Sequence, residues 1–79
     1  MIKEKMKALI SLGGFTQRKI AAAKEISPQQ FQAKLRNNAF RIDELIELAD
    51  MMGFYLAFID EKGDPVVKFD ISDIKEKEL

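Results

Sequence analysis

The sequence has 79 residues, with no cysteine and no histidine, and its 13 Lys/Arg balance 13 Asp/Glu. A chain this short holds one domain near the lower limit for a core that folds without staples, and the missing thiols and imidazoles exclude disulfides, thiolate metal sites and the commonest general base. The zero net charge hides a division: residues 1–41 carry nine Lys/Arg against two acids, and residues 42–79 four lysines against eleven acids, an asymmetry that points to a polyanion partner for the basic half.

Ile2 to Leu12 reads as a first helix, with Ile2, Met6, Leu9 and Ile10 on one face and Lys3, Glu4, Lys5 and Lys7 forming a solvated surface around it. Gly13-Gly14 ends it, because a glycine just past the last turn adopts the left-handed cap conformation. Thr16 is a good N-cap for a second helix from about Gln17 to Lys24, and Phe15 can staple onto Ile20. Ile20 and Ala21 face inward, and the alanines at 21–23 add helix propensity.

The third helix, Pro28 to about Asn37, has the strongest start. Ser27 caps it, Pro28 takes the first position where a missing N–H costs nothing, Gln30 completes an S-x-x-Q capping box, and Ile26 staples onto Phe31. Phe31 and Leu35 point inward, and Asn37-Asn38 closes the helix because asparagine tolerates left-handed angles. A fourth helix from Ile42 to about Met52 has the apolar stripe Leu45, Ile46, Leu48, Ala49 and Met52, with Asp43 and Glu44 near its positive end and Gly53 as its stop. Phe40 is placed to staple onto Leu45, whereas Arg41 is a poor residue for the cap position.

After Gly53 the period changes. FYLAFID and PVVKFDI are rich in aromatic and β-branched residues and flank EKGD, which predicts a β-hairpin turning at Lys62-Gly63-Asp64 with Pro65 opening the second strand. Ser72 to Leu79 reads as a charged tail, helical from a Ser72 cap. A lone two-stranded hairpin is marginal in water, and FYLAF is apolar on both faces, with Phe54, Leu56 and Phe58 on one and Tyr55, Ala57 and Ile59 on the other. One face can cover the helices while the other seeks a partner. The expectation is a homodimer held through Phe54, Tyr55, Leu56, Phe58, Val67 and Phe69; the rival is a monomer that folds the hairpin onto its helices.

Two capped helices separated by a few residues form a helix-turn-helix pattern. The exposed side of the second carries Gln29, Gln30, Gln32 and Arg36, and glutamine and arginine can read base edges in the major groove. A DNA-binding regulator is the reading that follows, with a solvated, merely segregated surface as its rival.

The stretches TQRKIAAAKEIS, PQQFQAKLRNN, AF and RIDELIELADMMG, over about residues 3–53, resemble the lambda-repressor-like helix-turn-helix group, the XRE family, in its phage and mobile-element forms. The resemblance implies a mainly α fold, with a four-helix lambda-repressor-like helix-turn-helix core at 1–53 for DNA binding, followed by a C-terminal β-hairpin and tail at 54–79 for dimerisation, within a single compact domain. It implies that the third helix lies in the major groove with Gln29 as main base reader, Gln30 and Ala33 beside it and Pro28 at the same turn. Gln17, Ser27, Lys34, Arg36, Asn38 and Arg41 are the implied phosphate contacts. Gln30 has the capping box as its competing role, and Gln32 reads as a solvated helix residue. The family usually has leucine at the position of Lys24 and glycine at that of Glu25. A non-glycine residue in a left-handed turn costs about 1–2 kcal/mol, so either the turn is built differently or the second helix ends earlier.

The expected function is therefore a sequence-specific transcription regulator, a repressor by family analogy, binding a palindromic operator in double-stranded DNA as a homodimer. The alternative is an antitoxin-like protein whose acidic C-terminal half binds a protein partner; the short SDIKEKEL tail favours the plain regulator. No cofactor or metal is called for, and the protein does not read as an enzyme, since its carboxylates sit on surface stripes without convergent partners. The charged first segment is no signal peptide and no apolar run reaches the roughly 18–20 residues that span a bilayer, so a cytoplasmic, membrane-free protein is expected.

Overall fold

The computed structural model describes residues 1–75, the last by its backbone alone. The chain is mainly helical with a C-terminal two-stranded antiparallel hairpin, in the order α1 (Ile2–Leu12), α2 (Gln17–Ala23), α3 (Pro28–Asn37), α4 (Ile42–Met51), β1 (Leu56–Ile59), β2 (Pro65–Phe69) and α5 (Ile71–Lys75). It groups into two compact units, Met1–Phe40 and residues 41 onward. Among the described residues no helix is long and apolar enough to cross a membrane.

In the first unit α3 touches both α1 and α2. Ile10, Ile20, Ala21, Phe31 and Leu35 are buried, and Phe40 sets its ring edge-on to Phe31 at 5.7 Å between centroids. These are inward positions of the helical stripes, with one correction: Ile2, in the first turn of α1, is 58% exposed. Burying an aromatic of this size with its neighbours supplies most of what holds so short a unit together.

The ends of the helices are local chemistry. The Thr16 hydroxyl accepts from the Lys19 N–H at 3.1 Å. Both halves of the Ser27–Gln30 box form, Ser27 Oγ accepting from Gln30 N at 3.1 Å and Gln30 Oε1 from Ser27 N at 2.8 Å. At the other end, α1 to α4 each close through a left-handed residue, namely Gly14, Glu25, Asn38 and Gly53. The N–H after it then reaches back five residues, as in Phe15 to Ile10, Ile26 to Ala21, Ala39 to Lys34 and Phe54 to Ala49. Both alternatives posed for the second helix are thereby answered: α2 stops at Ala23, and Glu25 takes φ +59°, where glycine would be unstrained.

The second unit begins with α4, whose N-terminus explains the unpromising Arg41. No side chain caps from Arg41; the Glu44 carboxylate instead returns to the Arg41 N–H at 2.9 Å, Asp43 accepts from Glu44 N, and the Arg41 guanidinium stands 3.4 Å from Asp43. Ile46, Leu48 and Ala49 are buried, while Leu45 is only partly so.

The hairpin is shorter than the sequence predicts. Its ladder pairs Leu56 with Phe69, Ala57 with Lys68 and Phe58 with Val67, then shifts so that Ile59 meets Pro65 and Val66 is the extra residue. Asp60 organises the turn: its carboxylate accepts from Lys62 N and Asp64 N, and its carbonyl from Gly63 N. The second strand stops at Phe69 because Asp70, not Ser72, opens α5. Asp70 Oδ1 accepts from Ser72 N at 2.9 Å and from the Ser72 hydroxyl, while Asp73 returns to Asp70 N at 2.8 Å. The expected helical tail is thus present over Ile71–Lys75, and its remainder lies outside the described residues.

Candidate nucleic-acid interface

The arrangement that could meet DNA is built by α2 and α3. The two are joined by Lys24 to Ser27, which the left-handed Glu25 and the back-bonds from Glu25 N and Ile26 N hold in one conformation. With Phe31 and Leu35 buried on one side of α3, the opposite stripe at i, i+4, i+7 is Gln29, Ala33 and Arg36. Gln29 and Arg36 are exposed, and Ala33 is half-buried between them. Ten residues of helix extend about 15 Å, enough for such a stripe to follow a major groove about 12 Å wide.

Each residue read from the sequence takes a definite place. Ser27, Pro28 and Gln30 lie exposed at the α3 N-terminus. Ser27 Oγ and Gln30 Oε1 each accept one capping-box hydrogen bond, which leaves the Ser27 hydroxyl proton and the Gln30 amide NH2 as donors for a ligand. Gln29 makes neither of the Ser27–Gln30 cap bonds and is exposed. Lys34 is half-buried with its ammonium 5.8 Å from the Phe40 ring centre. Arg36 is exposed in the last turn of α3, where positive charge also complements the helix dipole. Asn38 is exposed and is the left-handed closing residue. Arg41 belongs to the second unit and is engaged with Asp43.

Gln32 is exposed, as its sequence position implies, and its side-chain Nε2–H donates to the Gln17 side-chain Oε1, joining the first residue of α2 to the flank of α3. The Gln17 amide NH2 is not used in this contact and remains a donor, the polarity a phosphate accepts. The 15-residue separation left no local pattern for this contact; only the side-by-side packing of the two helices makes it.

The electrostatics divide as the units do. Residues 1–40 carry eight Lys/Arg and two acids, whereas residues 41–79 carry five Lys/Arg and eleven acids. In the other unit the Ser72 hydroxyl above all holds the Asp70 carboxyl below its usual range. Among the described residues no cluster of acids could hold a metal ion.

The chain matches no protein-family model, no curated protein and no solved structure.

Proposed function

We propose that this protein is a sequence-specific DNA-binding transcription regulator of the lambda-repressor-like helix-turn-helix type. In this reading it acts as a homodimer on a palindromic operator, as a repressor by analogy with the family it resembles. The observation that carries the reading is the outward stripe Gln29–Ala33–Arg36 on a helix with both ends chemically closed, in a unit with eight basic and two acidic residues. Gln29 reads a base edge, its amide suiting adenine N6 and N7 in a bidentate pair, and Ala33 offers a methyl contact to thymine. Gln17, Ser27, Lys34, Arg36 and Asn38 hold phosphates, with Gln17 and Gln30 serving as donors. In this docking the first turn of α3 faces the duplex.

Selection from random duplex DNA at about physiological salt tests the proposal. Enrichment of an inverted repeat, with half-site centres about one helical turn apart, supports it; no enrichment overturns it. Gln29→Ala should cost about 1–3 kcal/mol and relax preference at one base pair, while Arg36→Ala should weaken all sequences alike and flatten the salt slope.

A second reading draws on one observation. The acidic unit exposes Tyr55, Phe58, Ile59 and Val66, each at 60% or more, as an antitoxin-like protein would to bind a basic protein partner. Co-purification of a small basic protein with the chain, bound through the hairpin, would favour it.

A further inference from the structure

The hairpin is a surface of unusual composition. Of its large apolar side chains, Phe54, Tyr55, Phe58, Ile59, Val66 and Val67 are all exposed, and its sheet has two strands among the described residues, so both β1 and β2 present an outer edge without a strand partner. The two edges are not alike. β2 starts at Pro65, which has no N–H to donate, breaks register at Val66, and carries Lys68. Proline, a bulge and lysine are the devices by which a strand edge resists pairing. β1, Leu56–Ile59, has no charge, proline or glycine, and its ladder is regular from Leu56 to Phe58. It has no such protection.

We infer that a second copy of this chain pairs with the β1 edge, antiparallel and about a two-fold axis at Ala57, making a four-stranded sheet in the order β2-β1-β1-β2. This deepens the homodimer part of the proposed function by naming the edge and register, and it needs no DNA. The segment Tyr55–Ile59 is its own complement in this register. Ala57 meets Ala57 of the second copy, Leu56 meets Phe58, and Tyr55 meets Ile59, so every opposed pair is apolar. Moving the axis one residue toward the turn places Leu56 opposite the turn-forming Asp60; moving it the other way sets Ile59 against Gly53. A perpendicular two-fold also keeps Leu56, Phe58, Val67 and Phe69 of both copies on one side of the sheet. Growth stops at two copies because the outer edges are then the protected β2 strands. Four strands with an apolar face also escape the marginal stability of a lone hairpin.

The test is the oligomeric state of the full chain without DNA, by light scattering and sedimentation. Ile59 and Val66 are equally open, 64% and 66% exposed, so lysine at either leaves the monomer's packing alone; circular dichroism checks this. The wild-type chain should be a dimer. Ile59→Lys should raise its dissociation constant by about tenfold or more, and Val66→Lys should change it little. In the otherwise cysteine-free chain, Ala57→Cys should cross-link two copies on mild oxidation and Val67→Cys should not. A monomeric wild type overturns the inference. So does equal loss from Val66→Lys, which would mean packing of hairpin faces, or cross-linking at Val67 alone. A dimer with this pattern that enriches no DNA sequence would sustain the edge pairing and overturn the regulator.

Discussion

The α2–α3 pair and the hairpin are the two best-defined local structures of this chain, and they treat their apolar side chains in opposite ways. Between Gln17 and Asn37 the large aliphatic and aromatic residues Ile20, Phe31 and Leu35 are buried, and what faces outward is glutamine, arginine and lysine. Between Phe54 and Phe69 the backbone is as fully specified, by a ladder and an Asp60-centred turn, yet phenylalanine, isoleucine and valine face outward. The helices are held by their core and leave a polar surface; the hairpin is held by backbone bonds and leaves an apolar one. A polar surface suits a hydrated, charged partner, whereas an apolar one gains most from a partner that removes it from water.

The sharpest break between the regions is a pair of truncations. Phe31→Ala should cost about 3–5 kcal/mol of unfolding free energy in urea, whereas Phe58→Ala, at 66% exposure, should change the monomer by less than about 0.5 kcal/mol. Comparable losses would mean that the hairpin is part of a buried core. Next come the local devices. Asp60→Ala removes the acceptor for two turn N–H groups and should cost about 1–2 kcal/mol, read as faster amide exchange confined to β1 and β2. Ser27→Ala should cost about 1 kcal/mol and loosen the first turn of α3. Smaller, and of opposite sign, is Glu25→Gly. Relief of the left-handed strain, less the added freedom of the unfolded chain, should stabilise by about 0.5–1 kcal/mol in the same urea titration.

The last prediction concerns pH. Because the Ser72 hydroxyl depresses the Asp70 carboxyl in the folded state, its contribution to stability is present above the ordinary carboxylate range and fades as pH falls through the lowered value. Ser72→Ala should move the Asp70 titration, followed by NMR at its side-chain carboxyl, back up toward the usual value.

Much of this architecture is legible in the sequence. The boundaries of α1 and α3 follow from Gly13-Gly14, from the Ser27-Pro28-x-Gln30 start and from Asn38, because caps are satisfied by residues within four positions of each other. The hairpin turn was legible for the same reason, glycine between two β-branched runs. The Asp70 start of α5 was missed because Asp70 and Ser72 both offer cap chemistry, and only the geometry after Phe69 chooses between them. The hairpin departs from its sequence pattern more instructively. Alternation predicts one covered and one bare face, but burial runs along the strands instead: Leu56, Ala57 and Phe69 at the open end are half-buried, and Phe58, Ile59, Val66 and Val67 toward the turn are exposed. Period-two patterning says which residues share a face, not how far along its length that face is covered.

By itself, then, the sequence determined the elements, their order, the charge division and the outward glutamines of α3, all of which are encoded by interactions between near neighbours or by composition. Tertiary structure alone decided that Gln32 holds Gln17 and which hairpin residues stay in water. Those outcomes depend on distances between residues far apart in the chain and on what is left to cover them, and no local pattern carries that information.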